Sequence, residues 1–197
     1  IPCVNPDGYI YNQATNPNGG GYWRKNRLNN GDGTFGVDLN RNYAYKWGFD
    51  NIGSSPSTWS DVYRGSAPFS EAETKMTRDF CNRIPFSYAI NNHTYGNYLI
   101  YPYGYKANTY TPDSAKFVQE SNLLAACNLF TKGTTIQTVG YTANGGSDDW
   151  MYGEQSTKSK VFAYTAETGS SFDGFWPRKS RILPLAQANI DMNLTLA

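Results

Sequence analysis

Strand-like runs alternating with helix-like stretches predict an α/β fold, a mixed, largely parallel sheet packed with helices. Phe86 to Asn92 and Lys160 to Ala166 read as buried strands, and Ser70 to about Arg83 and about Pro112 to Lys132 as helices. No internal repeat, linker or low-complexity tract interrupts them, so residues 1–197 are expected to form a single domain. That length is enough to bury a sizeable core.

Residues 1 to 67 are dominated by loop chemistry. Ile1-Pro2-Cys3-Val4 reads as the tail of a strand, which points to a segment upstream. Gly19-Gly20-Gly21 and Asn29-Asn30-Gly31-Asp32-Gly33 are turns, because glycine and asparagine tolerate positive φ. No Gly-Lys-Ser/Thr follows them, so they are not a phosphate cradle. Tyr43 to Tyr63 reads as a long surface loop carrying aromatics. Ser70 and Glu73 have capping-box spacing, and Pro85 stops the helix they open. After the Phe86 strand, Asn97 to Tyr103 reads as extended. The helix from about Pro112 places Phe117, Leu124, Cys127 and Phe130 on helical spacing and stops at Gly133. Thr134 to Val139 reads as a strand, Asp148 to Gly153 as a helical turn, and Lys160 to Ala166 as a strand. About Arg181 to Leu196 reads as a closing helix, with Pro184 tolerable only in its first turn.

Composition narrows the function. Seventeen basic residues against 16 acidic ones give a formal net charge of +1, and the lysines are scattered without a stripe that would track phosphates. A nucleic-acid partner is therefore not expected. No apolar run approaches a membrane span, so no membrane partner is expected either. Aromatic residues make up 16% and charged residues only 17%, a balance that suits a secreted or periplasmic protein with long polar loops. Cys3, Cys81 and Cys127 show no C-x-x-C pairing and read as free or buried thiols rather than a disulfide framework.

The single histidine, His93, stands where the Phe86 strand ends, and Glu167 where the Lys160 strand ends. In an open α/β sheet ligands bind outside the carboxyl ends of strands, so these two mark a candidate site. Each has a plainer reading: His93 as a hydrogen-bonded structural histidine, Glu167 as an acceptor for nearby backbone N–H groups. Asn40-Arg41 offers a planar guanidinium fork with an amide beside it, suited to a carboxylate or to a surface ion pair. Arg24 lies in a basic run, Trp23-Arg24-Lys25-Asn26-Arg27. Asp148 lies in Gly146-Ser147-Asp148-Asp149-Trp150, where it could instead cap a short helical turn.

Taken in chain order, Asn5-Pro6-Asp7-Gly8, Trp23 to Arg27, Asp38-Leu39-Asn40-Arg41-Asn42, Asn92-His93-Thr94-Tyr95-Gly96, Gly140-Tyr141, Gly145 to Trp150 and Thr165-Ala166-Glu167 resemble the zinc carboxypeptidases of the carboxypeptidase A/B type. The resemblance covers nearly the whole chain but only the C-terminal part of such a catalytic domain, implying that the sheet lacks its N-terminal strands. It implies zinc as cofactor, with His93 a metal ligand, and peptide or protein C-termini as partners. It further implies Glu167 as general base, Arg24 as oxyanion stabiliser, and Asn40, Arg41 and Tyr141 as the grip on the terminal carboxylate. Thr94 and Tyr95 would line the cleft, and Asp38 would orient a zinc-binding histidine. Asp148 would form the base of the side-chain pocket, selecting Lys or Arg by charge.

The family's upstream His-x-x-Glu, source of its other two zinc ligands, has no counterpart. The chain alone is therefore expected to bind zinc weakly and to be inactive, with a separate N-terminal segment completing the fold. The competing reading is a non-catalytic module that binds peptide C-termini or glycans through Asn40, Arg41 and the tyrosines.

Overall fold

The computed structural model describes residues 1–197. Its centre is a four-stranded mixed sheet made of β1 (Tyr88–His93), β2 (Tyr98–Ile100), β3 (Thr131–Gly133) and β4 (Phe162–Glu167), ordered β1-β4-β2-β3. β1 and β4 run parallel, in a register that pairs Tyr88 with Phe162 at one end and His93 with Glu167 at the other. β2 is antiparallel to β4 and parallel to β3. Paired residues project from the same face of a sheet, so this register alone places His93 beside Glu167. β1 lies at the end of the strand order, and no strand of this chain pairs with its outer edge.

Side chains alternate along β4, and each face gathers its own core. Phe162, Tyr164 and Ala166 pack with Leu99, Phe117, Leu124, Tyr152 and Met192, beneath α3 (Ser114–Leu124) and α7 (Ile190–Leu196). Val161 and Ala163 pack on the other face with Cys81 of α2 (Ala72–Arg83), Trp150 and Met151 of α5 (Ser147–Gly153), and Tyr43 and Phe69 from the loops before α2. Phe117 sits at the centre of the first core, meeting Tyr152 and Tyr164 edge-to-face at ring-centroid distances of 5.2 and 5.3 Å.

Several local expectations change. The N-terminal region holds a helix, α1 (Pro6–Thr15), which Asn5 caps by accepting from the Gly8 N–H at 3.0 Å and which has Pro6 in its first turn. Ile1 to Val4 form no strand. Ser70 does not cap α2. Its hydroxyl donates to Glu71 Oε1 and accepts from Asn42, and Glu71 takes the cap position without a side-chain bond. The capping box falls instead at Thr134 and Gln137, so β-branched Thr134 to Val139 is not a strand but opens the short helix α4 (Thr135–Thr138). α3 ends at Leu124. Leu129 turns the chain at a φ of 57° and delivers Phe130 to the same core that a longer helix would have reached. The closing helix is two helices, α6 (Lys179–Gln187) and α7, and Pro184 lies inside the first rather than in its first turn.

All three cysteines are free thiols, Cys81 buried and the other two exposed.

Candidate active site

A cavity of about 890 Å³ opens at the carboxyl ends of β1 and β4. All ten residues singled out from the sequence line it: Arg24, Asp38, Asn40, Arg41, His93, Thr94, Tyr95, Tyr141, Asp148 and Glu167. They come from six separate segments, and polar clamps hold those segments in place.

α1 positions Arg24. Asn5 Nδ2 donates to the carbonyls of Arg24 and Lys25 at 3.0 and 3.1 Å, while Asn12 Nδ2 donates to Trp23 O at 2.7 Å. The Arg24 guanidinium then lies 4.6 Å from the centroid of Phe175, a ring that also meets Tyr95 at 4.9 Å.

Asp38 to Arg41 form a single 3-10 turn over Leu39–Arg41. Asp38 Oδ1 accepts from the Asn40 N–H at 3.1 Å, and its other oxygen lies 3.9 Å from Arg41 Nη1. Asp38 therefore orders the Asn-Arg turn directly. Arg41 is buried. Its Nε donates to Gly53 O at 2.9 Å and its Nη1 to Asn40 O at 2.8 Å, while Nη2 has no protein partner. Two of the three guanidinium nitrogens are thus fixed by backbone carbonyls, and the third is not.

The segment Gly145 to Trp150 is fastened to the same turn. Tyr43 N donates to Gly145 O at 3.0 Å, and Asn40 Oδ1 accepts from Ser147 N at 2.9 Å and from Ser147 Oγ at 3.1 Å. The Asn40 carbonyl oxygen is thereby committed, leaving its NH₂ group as the free end. Gly146, not Asp148, is the cap of α5, and Asp148 occupies the first turn with Oδ2 3.4 Å from Thr165 Oγ1. Tyr141, in the loop between α4 and α5, is half exposed at 52% and lines the cavity. Thr94 Oγ1 donates to Phe175 O at 3.0 Å, tying the end of β1 to the aromatic wall.

Burial sets the electrostatics. Desolvation raises the Glu167 pKa to about 7. Arg24 and Arg41 oppose this and Asp148 adds to it. Glu167 Oε2 is buried without a hydrogen-bond partner, an unusual state for a carboxylate oxygen outside a functional site. Desolvation lowers the pKa of His93, with Asp38 opposing and Arg41 and Arg24 reinforcing, so the imidazole is held neutral. Asp148 is raised by burial. Its neighbour Asp149 is raised further, by burial and by the Asp148 charge, against the N–H groups of Gly104 and Tyr105 that it accepts.

Asp149 and Asn42 stand in motifs that carry the resemblance but drew no role of their own from the sequence, and Phe175 was not singled out. Asp149 fixes the Gly104-Tyr105 backbone and Phe175 forms the wall under Arg24. Asn42 is wholly buried among the segments around the Asn40-Arg41 turn. Only the second acid of Asp148-Asp149 left a visible signal, as an adjacent ionisable residue inside a glycine-flanked motif.

A buried arginine with a free nitrogen, a desolvated carboxylate and a neutral imidazole thus share one cavity at the carboxyl edge of a mixed α/β sheet. The chain belongs to the zinc carboxypeptidase family, whose sequence profile matches residues 1–192. It is 37% identical to carboxypeptidase A2 of Rattus norvegicus, over 95% of this chain and 44% of that one. It is 33% identical to carboxypeptidase B of Astacus astacus, over 97% of this chain and 63% of that one. Among solved structures, bovine thrombin-activatable fibrinolysis inhibitor in complex with tick carboxypeptidase inhibitor superposes with a TM-score of 0.84 at 30% identity, covering 100% of this chain and 66% of that one. The chain spans about half to two thirds of the length of these relatives.

Zinc is the family's metal. A catalytic zinc site takes three protein ligands. Here His93 is one candidate, and no trio of His, Cys, Asp or Glu side chains lies close enough to hold an ion. The residues of this chain do not by themselves fit the metal. No helix is long and apolar enough to cross a membrane.

Proposed function

We propose that this chain is the C-terminal portion of a carboxypeptidase catalytic domain, which grips the C-terminal residue of a peptide and supplies the proton transfers for its removal. The observation that carries this reading is the buried Arg41 with one unpartnered nitrogen, facing the same cavity as Glu167. The terminal carboxylate pairs with Arg41 and the Asn40 amide, and Tyr141 closes over it. Glu167 takes a proton from water attacking the scissile carbonyl and passes it to the leaving amine. Arg24 balances the charge that develops on the carbonyl oxygen.

Asp148 selects the terminal side chain. It is buried and lines the same cavity, so an entering Lys or Arg gains a desolvated partner that an apolar side chain does not. His93 is one ligand of the family's zinc, and the remaining ligands come from a separate N-terminal segment. That segment also adds strands at the free edge of β1, and the protein acts outside the cytoplasm.

The test compares affinity for a lysine-terminated peptide with that for its C-terminal amide. Charge-assisted hydrogen bonds contribute about 1.5–3 kcal/mol, so the free acid should bind about tenfold to a hundredfold more tightly, and Arg41→Gln should abolish the difference. Equal affinity of acid and amide for the unaltered protein would refute the assignment.

A further inference from the structure

A second groove, about 810 Å³, adjoins the active-site cavity and shares its wall. Tyr95, Phe175 and Trp176 line both. Its sides are residues 18–22 and 171–180. The two sides are locked to each other: Gly20 N donates to Trp176 O at 2.8 Å, and Trp176 Nε1 donates to Asn16 O at 2.9 Å. Gly19 packs so closely that a Cβ there would stand 2.9 Å from Arg178 N, and its φ of +99° independently demands glycine. Tyr22 adds an exposed ring 5.5 Å from Phe175, continuing the aromatic wall outward.

The charge of this groove has one sign. Its single acidic residue, Asp173, is already neutralised by Arg181, whose Nε lies 2.6 Å from Oδ1, and its other oxygen accepts from Ser170 N at 2.9 Å. Arg178 and Lys179 line the groove, are exposed and form no ion pair. A peptide whose C-terminal residue occupies the main cavity must leave it along some wall, and the shared aromatic wall leads past these two cations.

We propose that this groove receives the part of the substrate upstream of the scissile bond and prefers acidic side chains there, with Arg178 and Lys179 as the residues that read them. The inference rests on the function proposed above and adds to it a second determinant of specificity, far from the terminal side chain. Exposed ion pairs are individually weak and screened by salt, so the preference is modest, is shared between two cations and weakens as ionic strength rises.

The test uses fluorescent peptides that end in the same free lysine and carry one Glu, Gln or Lys at successive upstream positions. Binding to the unaltered protein is read by anisotropy at low and high salt. At one or two neighbouring positions Glu should bind about threefold to tenfold more tightly than Gln, and Lys more weakly than Gln, with the spread collapsing at high salt. In the doubly reversed variant Arg178→Glu/Lys179→Glu the order should invert. Both side chains are exposed, and circular dichroism verifies that the variant is folded. If the peptides bind in a manner that depends on their free C-terminus, yet Glu, Gln and Lys are equivalent at every position or the order survives charge reversal, the groove assignment falls while the function stands. If no peptide binds through its C-terminus, both fall together.

Discussion

Replacing Gly145 by alanine should damage both stability and the site, and Gly140 in the same loop supplies the control. Both glycines have positive φ, +72° at Gly145 and +80° at Gly140. An L-residue in that region costs about 1–2 kcal/mol, offset in part by about 0.4–1 kcal/mol from the stiffer unfolded chain. Gly140→Ala meets nothing within 4 Å, so its net cost should be about 1 kcal/mol or less. Gly145→Ala places a methyl 2.4 Å from Arg41 O, 2.9 Å from Arg41 C and 3.2 Å from Tyr43 O, all backbone atoms that cannot swing aside. Overpacking of that kind adds about 1–3 kcal/mol, for a total near 2–4 kcal/mol. Urea unfolding followed by the fluorescence of the five tryptophans measures both variants, read as the shift in midpoint at constant m. Because the displaced carbonyl belongs to Arg41, Gly145→Ala should also weaken binding of a free C-terminus more than Gly140→Ala does. If the two variants agree within about 0.5 kcal/mol, the argument that the Arg41 turn and the Gly145 loop are interlocked through their backbones is wrong.

Asn42 is wholly buried, donating to Arg64 O, Ala67 O and Ser70 Oγ at 2.9–3.0 Å and accepting from Thr74 Oγ1 at 2.7 Å. Asn42→Ala orphans those groups and should cost about 3–5 kcal/mol in the same urea experiment, and a loss under about 1 kcal/mol would show that water satisfies them. Lys158 has its pKa lowered by burial to about 8, below the ordinary 10.5 of the unfolded chain, with Cys81 and Glu154 opposing. The unfolded state therefore binds more protons between those values, so the cost of burying this charge is full below pH 8 and is relieved as pH rises above it. The stability of the native protein relative to Lys158→Met should accordingly increase between pH 7.5 and 9, and a pH-independent difference would show the ammonium to be well solvated. Asp148→Ile should shift the ratio of affinities for lysine- and leucine-terminated peptides towards leucine by about 30-fold or more, since it removes the buried partner of the cation. An unchanged ratio would take Asp148 out of the specificity pocket.

What the sequence disclosed follows from how each signal is stored. His93 and Glu167 were legible because strand ends in an α/β sheet are where ligands bind, and the parallel register of β1 and β4 then sets them side by side. Asn40-Arg41 taken alone read as a carboxylate fork or as a surface ion pair, and only the family resemblance singled it out. What stayed hidden was how these pieces are held. Asn5 reaches Arg24 O across 19 positions, Asn42 reaches Thr74 across 32, and Ser54 reaches Asn144 across 90. An asparagine in a loop has no period, and its buried partners are mostly backbone groups that every residue carries. Nothing in its neighbourhood distinguishes it from the turn-forming asparagines around it.

The helices and strands failed for a different reason, which Thr134 to Val139 shows most clearly. β-branched Thr134, Thr135, Ile136, Thr138 and Val139 favour a strand by local preference. The Thr134 hydroxyl and the Gln137 side chain instead close a capping box at the end of β3, satisfying donors that a new strand at the rim of the sheet would leave open. Propensity is a property of one residue at a time, whereas a cap is a reciprocal bond between two. Where the sheet has no further neighbour to offer, the reciprocal bond decides the structure. The turn it creates starts the loop that carries Tyr141 to the cavity and leads into Gly145, so a local competition between strand and cap also sets the mouth of the site.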